Sequence, residues 1–350
     1  MQQKPNYWRT TLDDIKQTLD EVSQGTISTL GYSAGNRSIQ LVEYGEKEDF
    51  YRQANYNSAC GAQNVKHYAD KSKGQKPVIL LIGGIHGAEF EGIAGLMNLM
   101  NVIETGKDYR GKQWDFIYEN WKKARLLLIP CMNPDGRARV PVDSLVGMEY
   151  ETFRYYSQGT WKDGSLCEWP QCKAVHPIKE HVDFLGGYYN DDGINMMHDN
   201  FFLPMAKETK ILMSLVDQEA PDLAVQLHGG GNCTNTFMPI PYLPEKTMDQ
   251  MMQFDLQWNE ACANRELKSK KMKAFNNESE RSPSSFNLTS AIHHLCGGIS
   301  MTYETNQGIN YGDHTFVSRG VNFADNVYTH EEILDHHLVL FEQCLAFYLE

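Results

Sequence analysis

The sequence predicts an α/β protein: a single domain whose twisted, mostly parallel sheet is flanked by helices. Two observations carry this. Four short apolar runs, KPVILLIGG (76–84), ARLLLIPCMNP (124–134), DLAVQLHGGGN (222–232) and GGISMTYET (297–305), have the look of strands buried on both faces, and three of them stop at glycine or a turn. Stretches with helical periodicity alternate with them, which favours parallel crossover connections. The 350 residues are 41% hydrophobic and 22% charged, ordinary globular composition for a chain long enough to bury a full core.

The elements follow in order. Thr11-Leu-Asp-Asp opens a helix with Leu12, Ile15, Leu19 and Val22 on one face. LGYSAGNRSIQLVEYG reads as a hairpin turning at Ala34-Gly35-Asn36. The first buried strand leads into a helix from about Glu89, with Phe90, Ile93, Met97, Met100 and Ile103 facing the core. The chain closes on a helix carrying Leu334, Leu338, Phe341, Leu345 and Tyr348. From about 137 to 193 no period is sustained. That stretch, rich in Tyr, Trp, Gly, Cys and Pro, is expected to be a long ordered excursion carried by the single 1–350 domain.

Several classes are excluded or constrained. A formal charge of −13 and no basic stripe argue against nucleic acid. No apolar run approaches the roughly 20 residues of a spanning helix. MQQKPNYWRT lacks an apolar leader, so the chain reads as cytoplasmic, with secretion or the periplasm open if a leader was removed. Eight scattered cysteines show no CxxC spacing and read as free thiols, a Cys167–Cys172 disulfide being the minority alternative. Oligomeric state is not encoded legibly.

Chemistry concentrates at strand ends, where open α/β sheets place their ligands. The first strand ends in His86-Gly-Ala-Glu89, the third in His228-Gly-Gly-Gly and the fourth in Glu304. Two imidazoles and one carboxylate, with a fourth position open, make a catalytic rather than a structural zinc site. Each residue alone has a plainer reading: a solvated histidine, a first-turn carboxylate complementing a helix dipole, a rim charge. Their coincidence at matching strand ends is what points to one Zn²⁺ ion, and pattern alone leaves the two readings evenly balanced.

The ordered set HGAEFEG, NPDGR, LHGGG and TYETN resembles the zinc metallocarboxypeptidases of the carboxypeptidase A type. The resemblance spans about residue 10 to the C-terminus and includes the early hairpin, where Asn36 intervenes between the Gly and Arg of the family pattern. It implies a carboxypeptidase-like fold, with His86, Glu89 and His228 as zinc ligands, metal-bound water as nucleophile and Glu304 as general base. It also implies an arginine near the oxyanion, for which Arg137, Arg139 and Arg154 compete and Arg139 is preferred for its closeness to the NPDG turn. One departure stands out. Where the family carries an Asn-Arg pair that grips the substrate's terminal carboxylate, Gly193-Ile-Asn-Met-Met-His-Asp-Asn-Phe201 has Met197 and His198, which makes His198 and Asn195 the substrate-binding candidates. Replacing a bidentate guanidinium by one ring donor should cost about 1.5–3 kcal/mol of carboxylate binding. No clean match to the family's mobile tyrosine occurs in the segment around 286–294.

The implied activity is zinc-dependent hydrolysis of an amide or peptide bond. The alternatives are a deacylase or amidase acting on N-acyl amino acids or cell-wall-type peptides, and a non-catalytic zinc-dependent peptide-binding module. The expected partner is a peptide or acyl-amino-acid substrate.

Overall fold

The computed structural model of the protein describes residues 4–272, 286–318 and 321–349. Helix α1 (Leu12–Asp20) begins at a capping box: Thr11 Oγ1 accepts from the Asp14 amide at 3.0 Å and the Asp14 carboxylate accepts from the Thr11 amide at 3.0 Å. Strands β1 (Thr26–Tyr32) and β2 (Ser38–Tyr44) form the expected hairpin, with Asn36 taking the left-handed conformation at φ 62°. There follow α2 (Tyr56–Gly61), β3 (Val78–Ile82), α3 (Glu91–Thr105), α4 (Asp115–Asn120), β4 (Arg125–Ile129) and α5 (Pro134–Arg139). After these come α6 (Tyr150–Gln158), β5 (Gly159–Trp161), β6 (Val182–Leu185), α7 (Lys207–Glu219) and β7 (Leu223–Gly229). The remaining large elements are β8 (Thr236–Met238), α8 (Glu245–Ala263), α9 (Leu288–Cys296), β9 (Ile299–Thr305) and α10 (His330–Leu349).

Seven strands make one mixed sheet in the order β1-β2-β4-β3-β7-β9-β8. The inner four, β4-β3-β7-β9, are parallel, and antiparallel strands close both edges. Strand periodicity divides the apolar runs between two layers. Ile79 and Leu81 of β3 join α3, α8 and α10 on one face, whereas Val78, Leu80 and Ile82 join α7 and α9 on the other. No helix among the described residues is long and apolar enough to cross a membrane.

Two motifs distant in sequence meet behind the sheet's carboxyl edge. The buried Asp135 carboxylate of the NPDG turn accepts from Ser33 Oγ (2.6 Å), the Gly35 amide (2.8 Å), Arg37 Nη1 (2.8 Å) and the Asp191 amide (3.1 Å). A fully partnered buried carboxylate rigidifies what it joins, here the hairpin turn, α5 and the end of the excursion.

The excursion is more regular than its sequence suggests. It contains α6, the β5–β6 hairpin and a small core of Cys167, Cys172, Ile178, Val182 and Tyr189. Short polar turns interrupt every period there, so no helical or strand repeat was legible. Cys167 and Cys172 are buried and form no disulfide with each other, and the other cysteines are buried too except the exposed Cys60. Burial pushes the Cys167 thiol up to about 12, which leaves it unreactive at neutral pH.

Candidate metal centre and cleft

β3, β7 and β9 are neighbours in the sheet, so their carboxyl ends deliver His86, His228 and Glu304 to one place. The parallel register sets His228 directly beside Glu304. Past β3 the chain bends through Gly83 and Gly84, and the Glu89 amide bonds the His86 carbonyl at 3.0 Å. This tight turn swings the side chains of His86 and Glu89 together, just before α3.

His86 Nδ1 lies 2.9 Å from Glu89 Oε1, His228 Nδ1 lies 2.9 Å from Glu89 Oε2, and the two Nδ1 atoms are 3.2 Å apart. All three residues are buried. Atoms bound at about 2.0–2.2 Å to a tetrahedral ion lie about 3.3 Å from one another, so this spacing fits zinc. The tautomer fits as well. His86 Nε2 faces Asn195 Oδ1 at 3.0 Å, and that oxygen can only accept, so the ring proton sits on Nε2 and Nδ1 presents its lone pair to the site. Burial pushes the Glu89 carboxyl up, but the charges and hydrogen bonds of His86 and His228 outweigh it and hold the group at about 2. Burial would lower the His228 pKa, yet Glu89 lifts it above the ordinary value. Glu91, the other acid of HGAEFEG, bonds Gln307 instead and burial carries it to about 8.

Two glycines are required by close approach. A side chain on Gly230 would stand 2.9 Å from Glu304 Oε2, and one on Gly87 would stand 2.1 Å from the Arg137 backbone nitrogen. The Gly87 amide in turn donates to Gly187 O at 2.7 Å, pinning the excursion against the metal-site turn.

A cleft of about 370 Å³ opens over the site, lined by His86, His228 and Glu304 together with Lys173, His198 and an apolar wall that includes Met238 to Pro241. On its other side a cavity of about 230 Å³ also reaches Glu89 and Glu304 and is lined by Arg154, Ser157 and Tyr311. Trp169 and Tyr188, both from the excursion, line the two spaces in common. The Tyr188 ring stacks on His86, its centroid 3.6 Å away and the planes 14° apart.

The sequence expectations divide here. The structure brings His86, His228, Glu304 and His198 to one cleft, with Glu89 against both metal-site histidines and facing the neighbouring cavity. Asn195 belongs to the site but not to the cleft wall: its amide orients the His86 ring, so its expected contact with substrate is corrected to a positioning contact. Arg139 is corrected too. Its guanidinium donates to Gly186 O (2.9 Å) and Tyr189 O (3.1 Å) and pairs with Asp191, so it braces the excursion and reaches neither cavity. Arg137 stacks over Phe90 at 4.5 Å and bonds Val142 O. Arg154 is the arginine that faces the site, with Nη1 on the Tyr150 hydroxyl (2.8 Å), Nη2 on Cys167 O and no partner for Nε among the described residues. His198 lies in the cleft as a neutral ring, since burial chiefly, with Lys173 and the site histidines, lowers its pKa to about 3. His293 caps its own helix end by bonding Gly298 O, and His294 stacks on Phe286. Residues 281–285, part of the segment searched for a mobile tyrosine, lie outside the described residues. Sequence reading passed over Trp169, Lys173 and Tyr188; the density of aromatics around them was the one available signal.

The overall architecture has many solved counterparts. The crystal structure of a metallo-carboxypeptidase from Burkholderia cenocepacia superposes with a TM-score of 0.59 at 13% identity, covering 96% of this chain and 68% of that one. Carboxypeptidase A from Helicoverpa armigera gives 0.53 at 14% identity, covering 97% and 73%. A metallo-carboxypeptidase from Pseudomonas aeruginosa gives 0.52 at 12%, covering 96% and 68%. No curated protein matches the sequence. The sequence profile described as zinc carboxypeptidase matches residues 11–333, nearly the whole length, and the chain therefore belongs to the zinc carboxypeptidase family.

Proposed function

We propose that the protein is a zinc-dependent hydrolase of amide bonds in peptides, with His86, Glu89 and His228 holding one ion. The observation that carries the reading is the convergence of these three donors, within 4.8 Å of one another, where two of them, His86 and His228, line a cleft shared with the carboxylate of Glu304. Bound zinc supplies Lewis-acid polarisation of a carbonyl and a lowered pKa for water. Glu304 accepts the proton of the water that adds to the scissile carbonyl, and returns it to the departing nitrogen as the C–N bond breaks. Arg154, on the opposite side of Glu304, donates to the oxygen on which negative charge develops. Asn195 keeps the His86 lone pair directed inward, and Tyr188 covers that ring from water.

A second reading is favoured by one specific observation. Met197 and His198 line the cleft where an Asn-Arg pair would grip a terminal carboxylate, and neither carries a permanent charge. A deacylase or amidase that releases an acyl group without reading a free C-terminus is consistent with that wall. Hydrolysis of N-blocked peptides and N-acyl amino acids by the purified protein separates the readings by product. Under either, chelation abolishes turnover and added zinc restores it. Turnover that survives complete metal removal would contradict both.

A further inference from the structure

The excursion places a cation in the cleft. Lys173 lies in the short helical turn at 171–174, and its Nζ sits 3.5 Å from the centroid of the Trp169 ring. Among the described residues it is the one lysine or arginine lining the cleft that holds His86, His228, His198 and Glu304. Lys173 is solvent-exposed at the cleft, and no carboxylate among the described residues forms an ion pair with it. It lines the same cleft as His198, His228 and Glu304. Around it the wall is apolar: Met197, Met238, Ile240 and the prolines. An unpaired ammonium beside an apolar wall is suited to a ligand that is part apolar and carries one negative charge.

We propose that Lys173 binds a carboxylate of the substrate and so determines specificity for acidic or free-acid ligands, the neutral His198 ring donating a second hydrogen bond. The proposal rests on the hydrolase reading of the cleft. An aromatic face under the ammonium fixes its position through a cation–π contact while leaving its N–H donors free. Partial desolvation against the cleft wall lowers the Lys173 pKa, but the side chain is exposed to water and keeps its proton at neutral pH. A lysine acts as a point charge on a flexible stem, whereas an arginine offers a planar fork. Recognition by Lys173 therefore tolerates a carboxylate at more than one position, on the main chain or on a side chain.

The test compares wild type, Lys173→Met and Lys173→Arg as the full-length, zinc-supplemented protein. The substrates are a matched pair of peptides ending in a free acid or an amide, with an acidic-side-chain amide as a third. Removing one charge-assisted contact should lower the acid-over-amide preference about 10–100-fold in Lys173→Met, through KM, and Lys173→Arg should retain most of it. An unchanged preference would overturn the proposal, as would a loss shared equally by acid and amide, which would place the lysine's effect on Glu304 or on the fold. If no peptide is cleaved by wild type, the hydrolase reading falls by itself. Calorimetric titration of the same peptides then decides the carboxylate contact: weaker acid binding in Lys173→Met sustains it, and equal binding removes it.

Discussion

Replacing Glu304 by Gln is expected to reduce kcat by about 10²–10⁴-fold, equivalent to about 3–5.5 kcal/mol of transition-state stabilisation. The substitution preserves shape and hydrogen-bonding capacity but removes the site's proton acceptor. Glu304 stands beside His228 across the β7–β9 register and is half-buried, so the amide can occupy the same place without a new cavity. KM should change little and zinc content should not change, because the three donors to the ion lie elsewhere. Steady-state kinetics with metal analysis on both proteins measures this. Turnover equal to wild type would remove Glu304 from the reaction.

The second large effect is expected at Arg154. Arg154→Met should lower kcat by about 10²–10³-fold, the usual consequence of deleting an oxyanion donor. The guanidinium also holds the Tyr150 hydroxyl and Cys167 O, so some of the loss could arise from loosening α6. Two readouts separate these causes. A displaced helix would lower thermal stability and raise KM, whereas a lost oxyanion contact lowers kcat with KM nearly constant. Arg139→Met provides the contrast. Its guanidinium is committed to Gly186, Tyr189 and Asp191, and its loss should act on stability and spare the chemical step. Equal kcat losses in the two variants would contradict the assignment of Arg154.

How much of this was legible in the sequence follows from where each residue sits. Strands buried on both faces are mostly apolar, so β3, β4, β7 and β9 announce themselves, and polar residues at their carboxyl ends fall at the sheet edge. His86 follows β3, and His228 and Glu304 are the penultimate residues of β7 and β9. The hairpin was legible for a similar reason, since its turn needs a left-handed residue and Asn36 provides one. The arginines were not legible. Arg139 follows the NPDG turn closely in sequence, but α5 directs it back toward Asp191, and only the next helix, α6, brings an arginine, Arg154, to the cavity. Asn195 looked like a substrate contact because its segment takes the place of a substrate-binding motif. Its side chain instead caps the turn at 196–198 and orients His86. Lys173 left no signal beyond the aromatics around it. Its place depends on the excursion folding back through the Gly87–Gly187 bond and the stacking of Tyr188 on His86, contacts that no local pattern encodes.

The account depends on one ion shared by three side chains drawn from two strand ends. Zinc content per chain, measured after dialysis for wild type, His86→Ala and His228→Ala with folding monitored by circular dichroism, tests that directly. One equivalent in the wild type and little or none in either folded variant is the predicted result. A wild type that retains no zinc, or folded variants that retain a full equivalent, would contradict it.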